Sequence, residues 1–183
     1  MQDLDYMKKY TINNLEELSK QIQTIQLLDK KIITFDIQNI ESENIKIINE
    51  IKNWENSNEG KYIYIFEISN EINAEQVYKN FKHSKDNKIE ERAYARINDN
   101  ISRILYVGST TKSKFYSRVK QHLGFGTKGT FALHVNFWRE NLKGKINLIC
   151  LKFDKTTHNK LIQTIEDSYW SKNLPMFGRQ GSK

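Results

Sequence analysis

Residues 104–124, ILYVGSTTKSKFYSRVKQHLG, read as a strand, a glycine turn and a helix, and they carry a phenol (Tyr106), a guanidinium (Arg118), an imidazole (His122) and several lysines without one carboxylate. On the helix Phe115, Val119 and Leu123 recur every four residues and form a core stripe. Lys114, Arg118 and His122 recur in the same way one position round, which sets them at the rim of a cleft. Tyr106 ends its strand beside Gly108, where the backbone can turn and a ligand can come close. An earlier strand, KYIYIFEIS, puts Tyr62, Tyr64, Phe66 and Ile68 on one face. Far downstream, Ile162, Glu166 and Trp170 fall four apart, so Glu166 shares a helical face with large apolar residues. A carboxylate placed so takes a partner, either a salt bridge, for which Arg118 is a candidate, or a metal ion. Structural uses compete for each group: a strand tyrosine packs its ring, Arg118 can be a surface cation, and His122 can sit against the helix dipole. Beside a polyanionic ligand, a single carboxylate suits a hard cation better than it suits phosphate.

The charge distribution points to such a ligand. Residues 1–100 carry 14 Lys/Arg against 18 Asp/Glu, residues 101–183 carry 15 against 4, and the net is +7. Between Ile101 and Arg139 there are seven cations and no acid. A solvated helical face mixes signs, whereas a single-sign block in a folded segment attracts a polyanion, nucleic acid by default. The N-terminus lacks an apolar signal core and no segment approaches a membrane span, so a soluble, cytoplasmic chain with no membrane contact is expected. The lone Cys150 lies in the apolar run INLICLKF and reads as a small buried hydrophobe.

The elements that must position these groups follow from periodicity. An apolar helical pattern occupies 14–30, a strand 30–37 and a helix 44–54 with Ile47, Ile48, Ile51 and Trp54 on one side. The polar stretch 53–61 is the best boundary, dividing an N-terminal extension of unknown role (1–58) from a second part (59–183). That part reads as strand 61–69, helix 74–84, a polar stretch, strand 102–109, helix Ser113–Leu123, a glycine-rich link, helix 131–141, strand 145–153 and helix 159–173. The class is α+β, a small sheet flanked by helices. Trp54, Trp138 and Trp170 read as core, and His134 on the helix 131–141 is expected to approach the site. Gly124 to Gly129 fits G-x-G-x-x-G but follows a helix, which excludes a dinucleotide loop. Neither His134 nor His158 has a partner at zinc spacing.

In order along the chain, Tyr62-Ile63-Tyr64, Tyr106-Val107-Gly108, Arg118, His122, Glu166 and the closing LPMFGRQG resemble the GIY-YIG nuclease family over about residues 60–180. Tyr62 stands where the family usually has glycine, and Gly178 where an asparagine is often found. The interval from Tyr64 to Tyr106 exceeds the family's minimal hairpin, so residues 70–100 are expected to be an insertion, as in the restriction-enzyme-like branch. The resemblance implies a mostly antiparallel three-stranded GIY-YIG sheet flanked by helices, with residues 1–58 as a helical/β extension. It also implies a metal-dependent endonuclease that hydrolyses DNA phosphodiester bonds, restriction-like or defence-type. Glu166 would hold Mg²⁺ (or Mn²⁺), and Arg118 would stabilise charge on the phosphate. Tyr64, helped by His122, would activate water; Tyr106 would orient that water, or exchange roles with Tyr64. Lys112, Lys114, Lys120 and Lys128 are assigned to the nucleic-acid backbone. One site cuts one strand, so a double-strand break needs a homodimer or two successive nicks. The rivals are a non-catalytic nucleic-acid-binding module on the same fold, and a domain that binds an acidic protein.

Overall fold

The computed structural model describes residues 3–55, 60–112 and 114–181. The expected boundary at 58–59 and Ser113, the expected first residue of the basic helix, lie outside the described residues. The chain is α+β, with one four-stranded sheet that is antiparallel throughout. Its strands are β1 (Leu27–Asp36), β2 (Gly60–Ile68), β3 (Ile104–Thr110) and β4 (Lys145–Asp154), in the order β1-β4-β2-β3. The α-helices are α1 (Leu4–Thr24), α2 (Ile40–Glu55), α3 (Ala74–Asp86), α4 (Phe115–Leu123) and α5 (Asn159–Asn173). No helix among the described residues is long and apolar enough to cross a membrane.

Three strands were expected, and the fourth comes from the N-terminal segment. β1 pairs with β4 from Leu27 opposite Phe153 to Asp36 opposite Lys145, so residues 27–36 share the sheet with β2 and β3, the strands that carry Tyr64 and Tyr106. That pairing also captures the end of the apolar pattern expected to be helical to residue 30. The helix stops at Thr24, where Ile25 turns extended. Alternation along β2 sends Tyr62, Tyr64, Phe66 and Ile68 to one core, shared with Ile47 and Ile51 of α2 and with Phe115, Val119 and Leu123 of α4. Ile63 faces the other way and packs with Phe153 and with Ile162 of α5. Cys150 is buried in the larger core, and burial pushes its thiol up in pKa, away from reactivity. Trp138 is buried, Trp54 is half-buried against Tyr62, and Trp170 is half-buried at a cavity wall.

The expected helix over 131–141 is absent. Only a 3-10 turn, Val135–Phe137, forms there. Ala132 instead bridges the segment from residues 70–100: its N–H donates to the Ala93 carbonyl at 3.2 Å, and its carbonyl accepts from Ala95 at 3.0 Å. His134 then takes a left-handed conformation with φ of 53°. A periodic apolar pattern was present, but the backbone found its partners across the fold. The outer edge of β3 is covered by the C-terminal segment, whose Met176 and Phe177 N–H groups donate to the carbonyls of Ile104 and Leu105 at 2.8 and 2.9 Å.

Candidate active site

The register of β2 and β3 sets Tyr64 opposite Gly108 and Phe66 opposite Tyr106, so the two tyrosines are diagonal neighbours on one face. Their rings lie 6.0 Å apart and nearly parallel, at 10°. Glycine is required between them: a Cβ on residue 108 would sit 2.7 Å from both Tyr64 Oη and Tyr106 Cε1. Gly178, with φ of +100°, presses on the outer edge of the Tyr106 ring, where a Cβ would meet Cε2 at 2.8 Å. Gly178 therefore serves as a seat for Tyr106.

Helix α4 brings in the basic groups, and its first turn is held from the N-terminal segment. Lys114 at the N-cap offers no side-chain cap. Glu55 at the end of α2 accepts instead from the N–H of Phe115 at 2.6 Å and of Tyr116 at 2.8 Å. A carboxylate at a helix N-terminus satisfies free donors and complements the dipole. With α4 fixed, Arg118 Nε donates to Tyr64 Oη at 3.0 Å and Nη2 donates to Tyr106 Oη at 3.3 Å. Nη2 also donates to the Phe131 carbonyl at 2.9 Å, and Nη1 to Gln121 Oε1 at 2.9 Å. Four of the five guanidinium N–H groups are thus committed, which leaves one for a ligand.

His122 is fully buried, and burial, then the charges of Arg118 and His134, hold its pKa well below the ordinary 6.5. The ring is neutral. Its Nδ1 lies 3.2 Å from the Leu133 N–H, which can only donate, so the single ring proton is on Nε2. That Nε2–H points at Tyr64 Oη, 3.1 Å away. The phenol oxygen of Tyr64 therefore accepts from both His122 and Arg118, and its own hydrogen is left for a third partner in the cleft. Burial, with Tyr106 adding and Arg118 opposing, pushes the Tyr64 phenol well above its ordinary 10. Tyr64 is a phenol in the free protein, with two donors on its oxygen.

Glu166, on α5 across the cleft, is 7% exposed. Its partners are the Ser109 hydroxyl and Gln163 Nε2, the latter at 3.2 Å. Among the described residues it makes no ion pair, so the bridge to Arg118 does not form. Burial, reinforced by Asp167 and opposed by Ser109, Gln163 and Arg118, raises its carboxyl to about 7. A buried carboxylate without a cation is the donor set that a hard divalent ion completes with water and phosphate oxygens. No cluster of three or more His, Cys, Asp or Glu side chains stands among the described residues, so Glu166 would be the main protein ligand.

Tyr64, Tyr106, Arg118 and Glu166 line one cleft of about 370 Å³, with His122 directly behind Tyr64. The four lysines assigned to nucleic acid lie outside this lining. Lys112 and Lys120 are exposed, Lys114 sits 6.0 Å from the Tyr116 ring centroid, and Lys128 pairs with Glu90 at 3.3 Å. His134 does not approach the site. It is fully buried, with Nε2 at 3.2 Å from the carbonyls of both Ala93 and Thr130, and burial lowers its pKa to about 4. His158 caps α5, accepting from the Lys160 N–H at 3.2 Å. The cleft also holds Lys85, Arg96 and Arg179, which sequence reasoning missed. Gln163 and Ser109 were within reach of it, one helical turn from Glu166 and next to Gly108. No known protein family, curated protein or solved structure matches the chain.

Proposed function

We propose that this chain is a metal-dependent nuclease of the GIY-YIG type, acting on DNA phosphodiester bonds. The observation that carries the reading is the Tyr64 oxygen held by two donors, Arg118 and His122, across a cleft from a buried carboxylate that makes no ion pair among the described residues. Strands β2, β3 and β4, with β2 in the middle, stand for the three strands the resemblance expects, and β1 adds a fourth at the edge. A simple phosphate-binding surface needs cations and has no use for Glu166.

In this reading Tyr64 is the base. The phenol proton first leaves to bulk water through the open cleft, and the phenolate then keeps both donors and takes a proton from a water in the cleft through its remaining lone pair. His122 serves as a fixed neutral donor, and no proton passes to it, because its only free nitrogen already accepts from Leu133. Arg118 sets both phenols and lends its one uncommitted N–H and its charge to the phosphate. Tyr106, with one donor on its oxygen, orients the water. Mg²⁺ or Mn²⁺ held by Glu166 would supply positive charge for the phosphate oxygens and the leaving group. A double-strand break would take two copies or two successive nicks.

Supercoiled plasmid provides the test. With Mg²⁺ the protein should nick or linearise it, chelator should stop the reaction, and Tyr64→Phe should slow it by roughly 10²- to 10⁴-fold while DNA binding survives. Intact binding without cleavage of any DNA or RNA would overturn the catalytic reading in favour of a binding module.

A further inference from the structure

The phosphate charge that Arg118 cannot meet finds other cations on the same wall. With four of its N–H groups committed inside the protein, Arg118 has little left for a substrate oxygen. Lys85, Arg96 and Arg179 line the same cleft. Arg96 and Arg179 also line an adjoining cavity of about 680 Å³ that runs on to Trp170. Lys85 and Arg96 lie close in sequence and Arg179 comes from the C-terminal segment, and the backbone brings the arginines together: Gly178 N–H donates to the Arg96 carbonyl at 2.8 Å, beside an isolated bridge between Ile97 and Phe177.

None of the three has an anionic partner among the described residues. Neither arginine side chain makes a hydrogen bond or ion pair among the described residues. Lys85 Nζ, half-buried, donates to the Ala95 carbonyl at 2.7 Å and keeps two further N–H groups. Its neighbour Asp86 is engaged elsewhere, paired with Lys82 at 3.4 Å. Burial lowers the proton affinity of Lys85, Asp86 opposes, and Arg179 and Arg96 lower it further. Three like charges held together without a counter-ion repel one another, and a bound anion removes that cost. Other cations of this chain, such as exposed Lys128 and half-buried Arg139, are neutralised by Glu90 and Glu41.

We propose that Lys85, Arg96 and Arg179 form a second phosphate site, which grips a strand phosphate next to the one presented to Tyr64 and Glu166. The strand then runs from Arg118 past the two arginines toward Trp170. This site deepens the nuclease reading and rests on it for the direction of the strand.

The test is DNA binding in chelator, with no turnover, measured on a short duplex at several salt concentrations for the full chain. Arg96→Ala and Arg179→Ala should each reduce the slope of log K against log salt by about 0.9, one phosphate contact apiece, and the double variant by about twice that. Lys46→Ala, exposed on α2 and outside both cavities, should leave the slope unchanged. Both arginines are exposed, and thermal melting verifies that the variants fold. Inorganic phosphate titrated into the free protein should bind the parent more tightly than the double variant. Unchanged slopes in both arginine variants, or a loss matched by Lys46→Ala, overturn the site. Cleavage by the parent with unchanged slopes would remove the second site and leave the nuclease. Reduced slopes without cleavage would remove the nuclease and leave a phosphate site.

Discussion

Replacing Glu166 by glutamine should make the protein more stable and inactive at once. The carboxyl titrates near its ordinary 4.5 in the unfolded chain and near 7 in the folded one. Between those values the folded protein holds a proton that the unfolded chain has lost, so stability falls as pH rises through the window and is level above it. The fall is about 1.4 kcal/mol for each pH unit crossed, or about 3 kcal/mol in all at full effect, and water entering the cleft brings it to about 2–3 kcal/mol. Glu166→Gln keeps the shape and removes the charge. It should match the parent at pH 4.5 and exceed it at pH 8, where the urea midpoint should rise by about 1 M. Saturating Mg²⁺ should close the gap by stabilising the parent alone, by about 2.7 kcal/mol at a hundred times its Kd. An equal difference between the two proteins at both pH values, or a less stable glutamine variant at pH 8, refutes the reasoning. Metal affinity in the parent should fall about tenfold per pH unit below 7, which Mn²⁺ resonance can follow.

Gly108→Ala should cut cleavage by about 10²-fold, because a Cβ at 2.7 Å from Tyr64 Oη must push the phenol off its two donors. The same variant should lose about 1–3 kcal/mol of stability by overpacking, measured by denaturant melting, and full activity would show that the phenol position is not critical. Glu55→Ala removes both acceptors at the start of α4 and should cost about 1–2 kcal/mol, with a parallel fall in plasmid nicking. A melting curve equal to the parent's would mean that the cap does not hold the helix.

Local periodicity made much of this legible. Alternation in KYIYIFEIS placed Tyr64 and Phe66 on the core face, and the four-residue stripes on α4 and α5 placed Arg118 and Glu166 at one cleft, whereas His122 is fully buried behind Tyr64 and Lys114 lies outside the lining. Where the reading failed, distant backbone partners decided the outcome. Residues 131–141 have helical apolar spacing, yet Ala132 bonds to Ala93 and Ala95. Leu27 and Leu28 continue the helical stripe of α1, yet the strand register with β4 draws them into the sheet. The cations failed for a similar reason. Lysines near the motif in sequence were the visible choice, whereas Arg96 and Arg179 meet only because Gly178 bonds back to Arg96. Nor does the sequence mark Glu55, which reaches the N-terminus of α4 from another helix.

The strand order has a consequence for synthesis. β4, which begins at Lys145, lies between β1 and β2 and is their shared partner. A growing chain that has reached residue 140 already carries both tyrosines, Arg118 and His122, but its early strands cannot yet meet across the sheet. Such non-local closure is slow, since the cost of bringing the ends together precedes the contacts that repay it. Until then open strand edges invite chaperones or aggregation. Glu166 is made later still, so on the nuclease reading a nascent or truncated chain has no place for the metal. A chain interrupted after residue 140 and before residue 166 carries the two phenols, the guanidinium and the imidazole without the carboxylate that faces them.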